Sequence, residues 1–170
     1  MAELAVTAVG ADRPGIVAAV ADVLHERGGN VEDSAMTILG GHFAIVLIVR
    51  TDDQPQELRE ALESATSGLG LVVSVSRAEG TRRPAEPTHL LSVYGADRPG
   101  IVAGVTRTLA ELGANITDLE TQVIGQDEPV YAMVIELVAD EESQLDDRLR
   151  TVCAGLGVDY TLRTIEAETY

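Results

Sequence analysis

The sequence predicts an α+β protein built from two ferredoxin-like βαββαβ sandwiches in tandem. Two observations lead to this fold class: a repeated stretch of sequence and a repeated order of strand and helix patterns. The nine residues GADRPGIVA occupy positions 10–18 and return unchanged at 95–103. At the same spacing, Gly28 matches Gly113 and Asn30 matches Asn115. Internal repetition of this kind marks two copies of one structural unit.

Each copy opens with a strand that is followed by a helix. Alternating apolar residues predict a strand over Leu4–Val9 and over Leu90–Tyr94. Apolar residues at helical spacing follow in both copies, over 16–24 and over 101–112. A proline that suits the first helical turn and a glycine that suits a left-handed cap mark the ends of each helix: Pro14 and Gly28, then Pro99 and Gly113.

The rest of each copy gives a hairpin, a second helix and a closing strand. In the first copy these elements are predicted at Asn30–Leu39, Phe43–Arg50, Gln56–Ala65 and Leu69–Arg77. In the second copy they are predicted at Asn115–Ile124, Val130–Val138, Glu141–Ala154 and Val158–Ile165. Two right-handed βαβ crossovers then give one antiparallel sheet with both helices on one face. Its edge strands are free to pair side by side with another copy, so we expect a homodimer.

A polar segment separates the two copies. Glu79–Pro87 (EGTRRPAEP) is rich in charge and proline, as linkers are. We therefore predict a first domain at 1–79, a linker at 80–86 and a second domain at 87–170. A unit of about 80 residues buries little more than ~60 % of its surface and is marginally stable by itself. Each unit is thus expected to pack on another unit.

The charge of the chain argues against several functions. Its formal net charge is −16, and all twelve cations are arginine. Neutralised phosphates supply most nucleic-acid affinity, so we expect no direct binding of nucleic acid. Without lysine there is no Schiff-base chemistry and no lysine-dependent phosphate loop. No apolar stretch reaches ~18 residues and no signal-peptide pattern opens the sequence, so we expect a cytoplasmic protein without a membrane partner.

No group of residues predicts a metal ion, a cofactor or a catalytic reaction. His25, His42 and His89 are far apart in sequence and lack the spacing of metal ligands. Cys153 lies in an apolar helical segment, which favours a core thiol over a nucleophile. Because no acid and base stand out as a pair, an enzyme is the least favoured function.

The repeated loop lies where the first strand passes into the first helix. Helix N-termini present unpaired N–H groups and a partial positive charge, so they bind carboxylates and phosphates. Gly15 would let a ligand approach the backbone, Asp12 offers an acceptor for an ammonium group, and Arg13 offers a fork for a carboxylate. Together these groups suit a free amino acid. The alternative is a structural turn in which Asp12 caps the helix.

Asp-Arg-Pro-Gly-Ile at this junction, followed by Gly-x-Asn before the second strand, resembles the ACT-domain family of small-molecule-sensing regulatory modules. The resemblance covers nearly the whole chain and is greatest to the group of glycine cleavage system transcriptional repressors. It implies amino-acid binding at interfaces between ACT domains. The positions that match the family motif are Asp12, Arg13, Gly15, Ile16, Asn30 and Val31 in the first copy and Asp97, Arg98, Gly100, Ile101, Asn115 and Ile116 in the second.

The ligand is not carried over with the motif. In the serine-responsive dehydrogenase branch of the family, an Asn stands where this chain has Asp12 and Asp97. We therefore expect a non-enzymatic regulatory protein that binds an amino acid, with glycine and serine as candidates, and that controls a partner protein. A transcriptional regulator of amino-acid or one-carbon metabolism fits this expectation. The alternative is a ligand-free ACT module that serves only assembly or dimerisation.

Overall fold

A computed structural model describes residues 1–78, 85–140 and 142–165. The chain divides into two compact units, Met1–Arg82 (unit 1) and Arg83–Tyr170 (unit 2). Three parts of the predicted organisation lie outside the described residues: positions 79–84 in and beside the predicted linker, position 141 at the predicted start of a helix, and the last five residues of the second predicted domain.

Unit 1 has the predicted βαββαβ order. Its elements are β1 (Ala2–Ala11), α1 (Ile16–Glu26), β2 (Asn30–Leu39), β3 (His42–Thr51), α2 (Pro55–Ala65) and β4 (Val72–Arg77). The four strands form one antiparallel sheet in the order β2-β3-β1-β4, so β2 and β4 are its edges.

Unit 2 repeats this plan. Its elements are β5 (His89–Ala96), α3 (Ile101–Glu111), β6 (Asn115–Ile124), β7 (Val130–Val138), α4 (Glu142–Leu156) and β8 (Val158–Thr164). The sheet order β6-β7-β5-β8 is the same as in unit 1, and each unit carries the same irregularity near the start of its first edge strand. The predicted fold class, two ferredoxin-like sandwiches in tandem, is confirmed.

Each unit builds its own core on one face of its sheet. Along β3, every second side chain from Phe43 to Val49 is buried, and along β7 every second one from Tyr131 to Leu137. The first helix of each unit buries most of its predicted apolar stripe, including Ile16 and Ile101, but Val17 and Val102 are exposed. The described helices of each unit all pack on this one face of its sheet.

Helices α1 and α3 begin where the predicted apolar pattern begins, but after the prolines that were expected in their first turn. Gly15 and Gly100 precede them with φ angles of 93° and 94°, which lie in the left-handed region. A residue in that conformation cannot continue a right-handed helix, so the helix begins only at the next residue. Pro14 and Pro99 therefore lie in the preceding turn, and their predicted position in the first helical turn is wrong.

The closing strand of unit 1 is shorter than predicted. A strand was expected from Leu69, but Ser67–Leu69 forms a short 3-10 turn and β4 begins at Val72. Gly70 follows that turn with a φ of 66°, which interrupts an extended backbone. The left-handed glycines predicted after the first helix of each unit are confirmed, since Gly28 and Gly113 have φ angles of 69° and 70°.

Candidate functional site

The repeated loop begins at a glycine that is closely packed. A Cβ atom at Gly10 would lie 2.8 Å from Leu71 Cδ2 and 3.0 Å from the carbonyl oxygen of Gly70. A Cβ atom at Gly95 would lie 3.0 Å from Val158 Cγ1. Packing against the closing strand thus explains the first glycine of the motif in both units.

Asp12 fixes the loop through its backbone amide. Its amide donates a hydrogen bond to the Gly41 carbonyl, at 2.9 Å, which ties the loop to the turn between β2 and β3. Neither α1 nor α3 has a side-chain cap hydrogen bond, because Gly15 and Gly100 occupy the N-cap positions. The alternative in which Asp12 caps the helix is therefore wrong.

The start of each helix presents donors to open space. The first backbone hydrogen bond of α1 runs from the Ala19 amide to the Gly15 carbonyl, at 2.9 Å, so the amides of 16–18 have no acceptor within the helix. A Cβ atom at Gly15 or at Gly100 would meet no atom within 4 Å. A small anion or carboxylate could therefore reach the backbone at both helix starts.

The two motif arginines lie in different surroundings. A Cβ atom at Gly157, just after α4, would lie 3.0 Å from Arg98 Nη1, so this guanidinium rests against the end of that helix. At Gly70, the matching position of unit 1, a Cβ atom would meet nothing within 4 Å, so Arg13 does not lie there. Arg98 thus contacts the end of α4, whereas Arg13 does not contact the matching position after α2.

Within a unit, the predicted site residues do not all come together. The residues from Asp12 to Ile16 lead into the start of α1, whereas Asn30 and Val31 follow its end, and the 11 residues of this helix span about 16 Å. The same separation holds in unit 2 between the loop from Asp97 to Ile101 and the pair Asn115 and Ile116. The matched positions therefore form two groups, at opposite ends of the first helix.

An apolar cleft of about 300 Å³ runs along α1 in unit 1. It lies between the helix and the edge strand, where no second helix covers the sheet. Its walls include Val17, Val20, Ala21 and Leu24 of α1 and Val31, Ser34 and Met36 of β2. Of these residues, the sequence analysis had named only Val31 as a candidate ligand-binding residue. In unit 2 larger side chains stand at three of the matching positions, with Thr106 for Ala21, Ile116 for Val31 and Leu119 for Ser34, whereas Thr121 is smaller than Met36.

The sequence analysis also missed Tyr131. This residue is buried beneath the loop of unit 2, at the position where unit 1 has Phe43. Burial raises the pKa of the Tyr131 hydroxyl, the Thr121 hydroxyl partly opposes this rise, and the Asp97 carboxylate adds to it. An alignment of the two copies could have found it, because the strand position that holds Phe43 in unit 1 holds a tyrosine, with its hydroxyl group, in unit 2.

Comparison with known proteins identifies the family. The sequence pattern of the ACT domain matches residues 3–76 and again 88–163. The chain belongs to the ACT-domain family. Both matched stretches lie within the βαββαβ units described above, so the tandem arrangement is that of two ACT domains.

Three relatives illustrate the range of similar proteins. The glycine cleavage system transcriptional repressor of Escherichia coli is 24 % identical over 170 residues, which cover 95 % of this chain and 90 % of the repressor. A UPF0237 protein of Methanopyrus kandleri is 42 % identical over 82 residues, or 46 % of this chain and 91 % of that protein. The crystal structure of an unknown protein from Galdieria sulphuraria has a TM-score of 0.83 at 32 % identity, covering 97 % of this chain and 99 % of that one. These similarities support a regulatory role.

Other chemistry is sparse in the described part of the chain. Within residues 1–78, 85–140 and 142–165, no three His, Cys, Asp or Glu side chains are grouped so that they could hold a metal ion. The helices of these segments include none with the length and apolar character needed to cross a membrane. Cys153 is buried in the core of unit 2, as predicted, and burial raises the pKa of its thiol to about 11.

Proposed function

We propose that this protein is a non-enzymatic regulator that binds a free amino acid at its repeated loops and thereby controls a partner protein. The amino group would approach the loop aspartate, Asp12 or Asp97, and the carboxylate would approach the free amides at the helix start. The relative named as a transcriptional repressor supports a partner in transcription. With a net charge of −16, such an effect would pass through another protein rather than through direct contact with DNA.

The observation that carries this proposal is the repetition of an aspartate whose carboxylate has no hydrogen-bond or ion-pair partner among the described residues. Gly10, Gly15 and Ile16 recur with structural reasons, which are close packing, a left-handed backbone and burial. The carboxylates of Asp12 and Asp97 also recur, yet neither makes a hydrogen bond or ion pair with a described residue. A ligand would give these two side chains a role that packing does not.

We propose that the ligand binds where two ACT units meet. The loop group and the Asn30–Val31 group lie at opposite ends of α1, so a site that uses both groups requires a second unit. A ligand that binds one arrangement of units more tightly than another shifts the population toward that arrangement, which a partner protein could detect. This mode of action is allosteric and needs no catalytic residue.

A ligand-free assembly module is the second candidate function. Edge strand β2 is exposed along its whole length. Its apolar side chains include Met36, Ile38 and Leu39, which are 52 %, 51 % and 77 % exposed. An exposed apolar edge strand is suited to pairing with another strand, and this surface could serve homodimer formation by itself.

A thermal-shift screen of the full chain against the common amino acids, followed by calorimetric titration of those that bind, separates the two candidates. A ligand present at 100 times its Kd should stabilise the protein by about 2.7 kcal/mol. Asp12→Ala should weaken binding at the loop of unit 1 roughly 10- to 100-fold, because a charged hydrogen bond is lost. The same loss is expected in unit 2 for Asp97→Ala.

Asp22→Ala is the matched control, since Asp22 is an exposed aspartate on α1 away from the loop. It should leave binding unchanged. Flat thermal curves with every amino acid at millimolar concentration would reject the ligand-binding proposal and favour the assembly module. Unfolding of the Asp12→Ala protein would instead show that this carboxylate serves the fold.

A further inference from the structure

Tyr131 brings a hydroxyl group beneath the repeated loop of unit 2. In the sheet register it stands opposite Gly95 of β5 and opposite Val123 of β6. Its ring lies on the helix-covered face, and only 9 % of the residue is exposed. Asp97 follows Gly95 by two residues, so the ring is at the end of the sheet where the loop leads into α3. The hydroxyl is therefore part of the surroundings of the loop.

This hydroxyl has no hydrogen-bond partner among the residues that the structure describes. Thr121 is a diagonal neighbour, since it pairs with Met133, two residues along β7 from Tyr131. The Thr121 hydroxyl interacts weakly with the Tyr131 hydroxyl and lowers its pKa, whereas the Asp97 carboxylate raises it, but no described residue lies at full hydrogen-bond geometry from the tyrosine hydroxyl. A buried hydroxyl without a partner costs free energy, so a group that completes its hydrogen bonding would be favoured.

Unit 1 lacks both polar groups at the same places. Phe43 stands opposite Gly10, as Tyr131 stands opposite Gly95. Met36 stands opposite Ile45, as Thr121 stands opposite Met133. The two loops have the same sequence. The side chains packed beneath the loop are apolar in unit 1, whereas in unit 2 they carry hydroxyl groups.

We infer that unit 2 selects an amino acid whose side chain carries a hydroxyl group and that Tyr131 determines this selectivity, whereas unit 1 takes an apolar side chain. The inference rests on the proposed function, because it assigns the side chain of the ligand that the loop would bind. A neutral hydroxyl can both donate to and accept from Tyr131. An acidic side chain would instead be repelled by Asp97, whose carboxylate lies near the tyrosine.

The test uses pairs of amino acids of nearly the same shape. Serine and alanine, and threonine and valine, are titrated calorimetrically into the full chain carrying Asp12→Ala, which silences the loop of unit 1. The hydroxyl member of a pair is expected to bind about tenfold more tightly than its apolar partner, because one hydrogen bond to a buried group is at stake. Adding Tyr131→Phe should reduce this difference to about twofold or less while alanine or valine still binds.

Tyr94→Phe is the matched control for the tyrosine. Tyr94 is 41 % exposed on β5 of the same unit and lies on the face opposite the helices, so its loss should leave the selectivity intact. Tyr131→Phe should also melt at or above the temperature of the parent, because unit 1 tolerates phenylalanine at this position and an unpartnered hydroxyl is removed. The reverse change, Phe43→Tyr with Met36→Thr in a chain carrying Asp97→Ala, should give unit 1 the preference for a hydroxyl.

Each outcome separates this inference from the proposed function. If amino acids bind at the Asp97 loop without a preference for the hydroxyl member, the inference is overturned and the proposed function stands. The same holds if the preference survives Tyr131→Phe, or if Tyr131→Phe lowers the melting temperature without altering selectivity. Absence of binding by every amino acid to the parent chain would overturn the proposed function, and this inference with it.

Discussion

Units 1 and 2 have nearly the same backbone conformation and differ in their side chains. The glycines before the first helix have φ angles of 93° and 94°, and those after it have φ angles of 69° and 70°. At one end of the core, by contrast, unit 1 has Phe43 at the position where unit 2 has Tyr131. The residues that recur are mostly those that the chain path requires. The two units diverge at side chains that the path of the backbone does not fix.

The open sheet faces differ more strongly than the cores. In unit 1 this face is largely uncharged, with Val9, Val46 and Val72 exposed by 47 %, 48 % and 75 %. The sheet registers align three uncharged residues of unit 1 with three acidic residues of unit 2: Ala35 with Glu120, Ile48 with Glu136, and Val72 with Asp159. The open sheet face of unit 2 is therefore more acidic than the open sheet face of unit 1.

The largest effect on stability is expected from truncating a buried leucine in the core of one unit at a time. Leu62 and Leu149 occupy matching places on α2 and α4, and both are fully buried. Truncation to alanine should lower the free energy of unfolding by about 2–5 kcal/mol in either case, through lost burial and a residual cavity. Hydrogen exchange resolved by peptide should locate the weakened amides in unit 1 for Leu62→Ala and in unit 2 for Leu149→Ala.

Cys153 supplies a second readout for unit 2. Burial raises the pKa of its thiol from 9.0 to about 11, so at pH 8 the folded protein holds it protonated and unreactive. This contribution to stability is present below about pH 9 and is lost as the pH rises toward 11, because the unfolded thiol ionises first. Labelling by a thiol reagent at pH 8 should accelerate with Leu149→Ala and not with Leu62→Ala. Equal acceleration would mean that the two cores open together.

An intermediate effect is expected at the repeated left-handed glycines. Gly15→Ala and Gly100→Ala should each cost about 1–2 kcal/mol, because an L-residue is strained at these φ angles. A Cβ atom would meet nothing within 4 Å at either site, so the cost comes from the backbone alone and should be equal in the two units. Denaturant unfolding of both variants measures it.

Gly68→Ala is the control for these substitutions, since Gly68 has open space around it and no positive φ. It should change stability little. A marked difference between Gly15→Ala and Gly100→Ala would contradict the view that the two loops share one backbone and differ only in their surroundings.

The order of strands and helices could be predicted because turn residues mark the ends of these elements. Strands β2 and β6 have the predicted bounds, since left-handed glycines precede both, and Gly40 and Gly125 follow them. The start of each first helix could not be predicted in the same way. Proline is compatible with both a helix start and a turn, and only the φ of the following glycine decides between them.

The candidate site was less accessible to sequence reasoning than the fold. The motif gave the loop, but the spacing along the chain could not show that Asn30 lies a helix length away from Asp12. Tyr131 was missed because a tyrosine in an apolar strand has the same pattern as phenylalanine. Its hydroxyl matters only because the sheet register puts it beneath the loop, which is a tertiary relation.

The smallest effect, and one of opposite sign, is expected at His89. This side chain is 5 % exposed in the core of unit 2, and its Nε2 has no partner among the described residues, whereas unit 1 has the fully buried Leu4 at this place. The Thr88 hydroxyl lies 2.7 Å from His89 Nδ1 but also accepts a hydrogen bond from the Ala139 amide at 3.0 Å, so it would keep a partner. His89→Leu should therefore raise the free energy of unfolding by about 1 kcal/mol in urea titrations, with the exposed His42→Leu as a neutral control. A loss of stability would contradict this expectation and would mean that the imidazole, with its contact to Thr88, contributes more to the core of unit 2 than a leucine does.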